Sequence, residues 1–208
     1  RGEAVLTARM VDRPIRPLFP KDMRNDVQVI VQPLSMGEEE HADMLGLIAA
    51  SAALTISDVP FDGPVAGVRV GYLDGELVVN PTIQQMEESK LDLRVAGSGD
   101  AIIMVEAGSD QVSEETLLDA IEMAHQAMQG VIQLQNEMRE VLGKPKRDYP
   151  RFGTPEELSD RVRELALEPL RELVNTTLLK GERVDALHEI EEEVRESLAA
   201  EAEEKEWS

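Results

Sequence analysis

Three arginines in the stretch Leu6 to Pro20, LTARMVDRPIRPLFP, are the residues best suited to do chemistry. Arg9, Arg13 and Arg16 sit among apolar neighbours in a 208-residue chain whose formal net charge is −21. A guanidinium is planar, permanently charged and donor-only, so a local concentration of such forks in an acidic chain is what phosphate recognition requires. Arg9 and Arg13 are four residues apart and share one face of a helix, which leaves Leu6, Met10 and Ile15 to point elsewhere. Pro14 and Pro17 disfavour helical dihedrals at Arg13 and Arg16, so the helix is expected to end or kink there and fan the arginines out at its terminus. The competing reading pairs them with Asp12 and other acids as ordinary surface salt bridges, and this stretch alone leaves both open.

Charge elsewhere narrows the choice. Residues 1–25 hold Arg1, Arg9, Arg13, Arg16, Lys21 and Arg24 against Glu3, Asp12 and Asp22, whereas residues 151–208 hold eight basic against seventeen acidic side chains. Counterion release makes most nucleic-acid binders basic, so a pI near 4.5 argues against a broad nonspecific grip on RNA. Any RNA contact must be local, and the N-terminal segment is its seat. Cysteine is absent, which excludes disulfides and thiolate sites and is compatible with a reducing cytoplasm. No apolar run approaches the roughly 20 residues that span a bilayer. His41, His125 and His188 are too scattered for a triad or zinc site and read as solvent-facing helix residues. The Glu191 to Glu193 run reads as a solvated helix face, and Met123, Met128 and Met138 as core filler.

The elements that must position the arginines follow from periodicity. DVQVIVQPL (26–34) alternates valine with polar residues and reads as a strand. Glu38 to Glu40 suit the first turn of a helix whose Ala-rich run, Met44 to Leu54, should be buried; Ser51 and Thr55 within it are expected to bond back to their own helix. Val65 to Leu73 and Glu76 to Val79 around Asp74-Gly75 form a hairpin signal. A short helical or irregular stretch, 82–89, precedes a second hairpin, Leu91 to Ala96 with Ala101 to Glu106. Ser113 caps a long helix that ends at Gly143. This order describes an α+β sheet with helices on one side. The proline-rich stretch KPKRDYPRFGTP (144–155) marks a domain boundary. Beyond it, Thr154, Pro155 and Glu157 spell a capping box, Pro169 is expected to break the helix that follows, and an acidic amphipathic helix from Gly181 frays after Glu201.

ARMVDRPIRPLFP, followed in order by NDVQVIV, ASAALTISDVPFDGPVAGVRVG, LVVNPT and LDLRVAG, resembles the polynucleotide phosphorylase family along essentially the whole chain. The resemblance implies an RNase PH-like (ribosomal protein S5 domain 2-like) core, helices packed on a mixed sheet, over residues 1–146, with its N-terminal strands missing, then a small all-α linker domain over 147–208. It also implies a family protein that continues into a second RNase PH-like half, and makes Arg1 a remnant of an upstream arginine-rich loop. Family members release nucleoside diphosphates from RNA 3′ ends with inorganic phosphate and Mg2+, assemble as homotrimeric rings, and work in the cytoplasm with RNA degradation complex proteins. The family's catalytic half has phosphate-holding serines where this chain has Gly46, Leu47, Ile48 and Ala49. Of its two aspartates six residues apart, only the second is present, as Asp92, and Met86 stands at the position of the first. The expectation is a noncatalytic half with no catalytic residue and no metal of its own, Asp92 being a degenerate metal candidate that pairs with Arg94 or caps a strand. Arg1, Arg9, Arg13 and Arg16 are the expected contacts for single-stranded RNA. The alternative is a noncatalytic scaffold or protein-interaction module that makes no RNA contact.

Overall fold

The computed structural model describes residues 2–35, 37, 39, 41–205 and 207. Arg1 lies outside them, as do Glu38 and Glu40 of the acidic turn expected there. The chain divides into two compact units, Arg1–Arg151 and Phe152–Ser208.

In the first unit, helix α1 (Gly2–Ile15) passes through Pro14 and tightens into a 3-10 turn at Arg16–Leu18. A proline in the last turn of a helix forfeits one backbone bond without ending it. Helix α2 (Ala42–Ile56) follows, then strands β1 (Ala66–Leu73) and β2 (Glu76–Val79), the short helix α3 (Ile83–Glu88), strands β3 (Leu91–Gly97) and β4 (Ile102–Ser109), and the long helix α4 (Glu114–Leu142). The β1–β2 turn uses Asp74 at φ 50° and Gly75 at φ 89°, the left-handed pair a two-residue hairpin demands. Strand order is β2-β1-β3-β4, and every described pairing is antiparallel where a mixed sheet was expected.

Alternation along β1 and β3 builds two cores. Val68, Val70, Leu91, Leu93 and Val95 pack with Ala120, Ala124, Met128 and Ile132 of α4. Met10, Val11 and Ile15 of α1 pack with Met44, Leu47 and Leu54 of α2 and with Ala96 and Met104. Helices therefore cover both faces of the sheet instead of one, and β1 reads as a nearly continuous buried strand for that reason. Gly67 is required at the crossing: a Cβ there would lie 2.7 Å from a Leu47 methyl. Ser51 does not bond back to its own helix; its Oγ accepts from the Val65 amide at 2.8 Å, joining α2 to the entry of β1. Gln135 of α4 reaches the same point, donating to the Val65 carbonyl at 2.9 Å. The Thr55 hydroxyl has no hydrogen-bond partner among the described residues.

One expectation fails for a physical reason. Residues 26–34 form no strand: Ile30 is 78% and Leu34 93% exposed, and no strand pairs with the segment among the described residues. Alternation is necessary for a strand, but a ladder partner makes one. The divide between the two units lies inside the stretch 144–155, after Arg151, and the part before it is held to the first unit. Lys146 Nζ donates to the carbonyls of Leu54, Thr55 and Ser57 at the end of α2 (2.9, 3.2 and 2.9 Å), Arg147 pairs with Asp58 at 2.7 Å, and Tyr149 donates to Asp22 at 2.9 Å. A cation on the last carbonyls of a helix complements its dipole.

The second unit is an antiparallel helix pair, α5 (Glu156–Asn175) and α6 (Lys180–Glu204), tied by Arg161 to Glu201 and Lys205 to Glu157. Its first helix starts at Glu156 with Pro155 in the cap position, so the capping box does not form. Pro169 lies inside α5, which continues past it. Val184 and Leu187 remain exposed on α6, because a single neighbouring helix covers only part of the apolar stripe. The helix also runs past Glu201 to Glu204, and the Glu191 to Glu193 run lies on it with Glu191 and Glu192 paired to Arg195.

Candidate functional site

Met10, Val11, Pro14 and Ile15 form the buried underside of α1, with the one-turn spacing that pins a helix against a core. Arg9 and Arg13 then flank that stripe on the rim of a cleft of about 540 Å³, whose other walls are His41 and Asp43 at the start of α2, Arg69 of β1, Arg94 of β3 and Glu106 of β4. Arg13 Nη1 lies 3.2 Å from Glu106. Arg9 makes no ion pair among the described residues. Arg16 is not part of this cleft: it turns back to Asp12 one turn earlier, at 2.7–3.0 Å, and its side chain is 76% exposed. Two of the four expected arginines thus come together, one stands apart, and Arg1 falls outside the described residues.

The floor of the cleft is a charged network on an inward sheet face. Register places Arg69 opposite Arg94, Arg94 opposite Glu106, and Gly71 opposite Asp92. Like charges directly across a ladder repel, and burying either one unpaired is costly. Asp92 resolves both problems. Arg69 clasps it side-on, Nε to Oδ1 at 2.7 Å and Nη2 to Oδ2 at 2.6 Å, while Arg94 Nη2 approaches Oδ2 at 3.2 Å. Arg94 is further flanked by Asp43 at 3.6 Å and Glu106 at 3.9 Å. The expected pairing of Asp92 with Arg94 is present, but the principal partner of Asp92 is Arg69, whose side chain is only 9% exposed.

His41 completes the network. It precedes the first turn of α2 with extended dihedrals and is half-buried, not a solvent-facing helix residue. Its Nδ1 lies 2.7 Å from Arg69 Nη1. A guanidinium has no acceptor, so the imidazole nitrogen must supply the lone pair, and the ring is neutral in this arrangement. Burial, and then the Arg69 charge, hold its pKa below the ordinary 6.5. His125 likewise has a partner, the Ser98 carbonyl at 3.2 Å, while His188 is exposed on α6.

The residues do not fit a magnesium ion. Both Asp92 oxygens face guanidinium groups, a shell that repels a cation, and the described residues contain no cluster of three metal-ligating side chains. At the place where serines would hold phosphate, Leu47 is fully buried, and Leu45, Gly46 and Ala49 line an apolar groove with Val31. The chemistry available is therefore electrostatic. Four guanidinium groups and an imidazole, against three carboxylates, can receive a phosphate group by charge and hydrogen bonding.

Sequence reasoning does not single out Arg69, His41, Asp43 or Glu106. Arg69 carries a signal nonetheless, a lone charge inside the apolar run AGVRVGYL, which is tolerated in a buried strand when an acid pairs with it.

This geometry coincides with clear kinship. Residues 1–60 match the model of the 3′ exoribonuclease family, domain 1, and residues 63–127 match domain 2 of the same family. The chain belongs to the 3′ exoribonuclease family. Within it, the similar curated relatives are polyribonucleotide nucleotidyltransferases. That of Thermus thermophilus is 52% identical over 191 residues (91% of this chain, 27% of the relative), and that of Heliobacterium modesticaldum 48% over 172 residues (83% and 24%). The Sorangium cellulosum enzyme is 44% identical over 201 residues, 97% of this chain and 26% of the relative. The chain spans about a quarter of the length of these relatives. No described helix is long and apolar enough to cross a membrane.

Proposed function

We propose that this chain is a noncatalytic part of a phosphorolytic 3′-to-5′ exoribonuclease of the polyribonucleotide nucleotidyltransferase type, acting in cytoplasmic RNA degradation. The parent enzyme converts RNA and phosphate to nucleoside diphosphates with Mg2+ held elsewhere in the protein. Residues 1–146 serve as an RNase PH-like domain and 147–208 as a helical linker in a homotrimeric ring that RNA degradation complex proteins can join. The observation that carries this reading is the cleft itself: Arg9 and Arg13 at its rim add positive charge above a floor of paired charges whose one candidate metal ligand, Asp92, is engaged by Arg69. Such a site holds phosphodiesters without reading bases, as a processive nuclease needs along its RNA path.

A second reading, a scaffold that makes no RNA contact, is favoured by one observation. Arg13 and Arg16 already have carboxylate partners in Glu106 and Asp12. Incubation of the chain with a short oligoadenylate, phosphate and Mg2+ tests the first point, with no ADP expected; phosphate-dependent ADP would overturn the noncatalytic assignment. Retention of the oligonucleotide at low salt, abolished on raising salt, is the expected second result. No retention at low salt would favour the scaffold.

A further inference from the structure

We propose that His41 is a positioning residue for Arg69 that makes the cleft's grip on phosphate depend on pH, a reading that rests on the anion-binding role proposed above. The geometry starts from a constraint on protons. Arg69 Nη1 can only donate, so the 2.7 Å approach to His41 Nδ1 exists only while that nitrogen is unprotonated. The neutral imidazole and Asp92 together engage Arg69 Nη1, Nε and Nη2, which holds the guanidinium down on the floor. Protonation at Nδ1 sets donor against donor and cation against cation. The hydrogen bond breaks, Arg69 keeps Asp92 but regains a free N–H, and the imidazolium becomes a fifth cation on the cleft wall.

Which state prevails depends on everything facing the ring. Arg69 of β1 and Arg94 of β3 disfavour the imidazolium; Asp43 of α2 and Asp92 of β3 favour it. Arg9 and Arg13 of α1 and Glu106 of β4 line the same cleft and add charge of both signs. With burial included the balance lies toward the neutral ring, which agrees with the lowered pKa. A phosphate group entering the cleft reverses it, because an anion neutralises the guanidinium field and accepts from both Arg69 Nη1 and the imidazolium. Linkage then makes the effect reciprocal: an anion that favours the protonated ring is itself bound more tightly when the ring is protonated. Affinity is constant above the anion-bound pKa, rises as pH falls between it and the anion-free pKa, and levels off below both. A separation of one pKa unit between the two states gives about a tenfold change in affinity.

His125 contacts Ser98 on the β3–β4 hairpin and His188 lies on α6; neither lines the cleft, so the effect is specific to His41. The test is binding of a fluorescent oligouridylate, which keeps one charge state from about pH 5.5 to 8, to the 208-residue chain at constant ionic strength. Tightening of up to about tenfold toward pH 5.5 is expected. His41→Gln retains an acceptor for Arg69 but cannot titrate, and its profile is expected to be flat. A flat wild-type profile, or the same slope in both proteins, would overturn the proposal. A second readout is the His41 ring resonance titrated with and without inorganic sulfate. Its pKa is expected to rise with sulfate, and an unmoved pKa would also overturn the proposal, whether or not the Gln variant folds. Failure of oligouridylate to bind at any pH would defeat the RNA reading alone, since the sulfate titration still decides the role of His41.

Discussion

The arginines on the floor of the cleft and those on its rim are chemically identical and structurally opposite. Arg69 is buried, bonded through three nitrogens and flanked by a neutral histidine. Arg9 and Arg13 project from an exposed helix face, one without an ion-pair partner among the described residues and one paired singly with Glu106. A guanidinium already bonded through each of its three nitrogens contributes field and rigidity and takes up a new anion most readily by giving up a partner. One that is free or weakly held takes one up more easily. The floor therefore shapes the potential of the cleft, and the rim is where a phosphate is captured.

That division can be broken most severely at Arg69. Replacing it with Met leaves the half-buried Asp92 without its main counter-charge, with only Arg94 at 3.2 Å to pair it, and removing one member of a buried pair costs about 3 kcal/mol. Urea denaturation should show a decrease of that order, and a decrease below about 1 kcal/mol would mean that the floor is solvated and the contrast false. The next largest effect should be on binding. Arg9→Ala/Arg13→Ala should leave stability within about 0.5 kcal/mol, since both groups are exposed. The same pair should weaken single-stranded RNA binding and lower the slope of log affinity against log salt by roughly 0.7 for each phosphate that is no longer neutralised. An unchanged slope would return these arginines to ordinary surface duty.

A smaller effect concerns protons. The His41 pKa is lowered in the folded chain, by burial first and Arg69 second, so below the ordinary 6.5 the unfolded chain binds the proton more readily. Stability of the anion-free protein should therefore fall as pH drops from about 6.5 through the folded-state pKa, and change little through this group above 6.5. Chemical denaturation of wild type and His41→Gln across that window checks the sign; the Gln variant should lack this component of the slope.

How much of this is legible in the sequence differs between elements. The Asp74-Gly75 hairpin, the Ser113 cap and the long helix to Gly143 are local signals, set by backbone sterics and a single side-chain bond, and they form as read. Residues 26–34 carry an equally clean alternation, yet a strand is a relation between two segments, and its partner is not in the segment's own residues. Asp92 can be read as a candidate because its type and position are local; Arg69, 23 residues earlier, cannot be joined to it without the β1–β3 register. The same limit hides His41, whose chemistry comes from a partner 28 residues away. The divide between the two units falls inside 144–155, and its place within that stretch is hidden for a related reason. Proline content marks where regular structure stops, while Lys146 is held to the first unit by carbonyls that its own sequence does not reveal.

The smallest expected effect sharpens the edge of the site. Arg16 shares one stretch of sequence with Arg9 and Arg13, but it folds back on Asp12 across one helical turn and lies outside the cleft. Exposed pairs four residues apart contribute about 0.3–0.5 kcal/mol, and salt screens them further. Arg16→Ala should therefore move the denaturation midpoint by an amount near the limit of detection, with the difference vanishing in high salt. It should also weaken RNA binding less than Arg9→Ala does, because its guanidinium must leave Asp12 before it can reach a phosphate. Equal weakening by the two single variants would mean that the strand runs along the whole exposed flank of α1 instead of entering the cleft, and the rim would then extend through the 3-10 turn to Arg16.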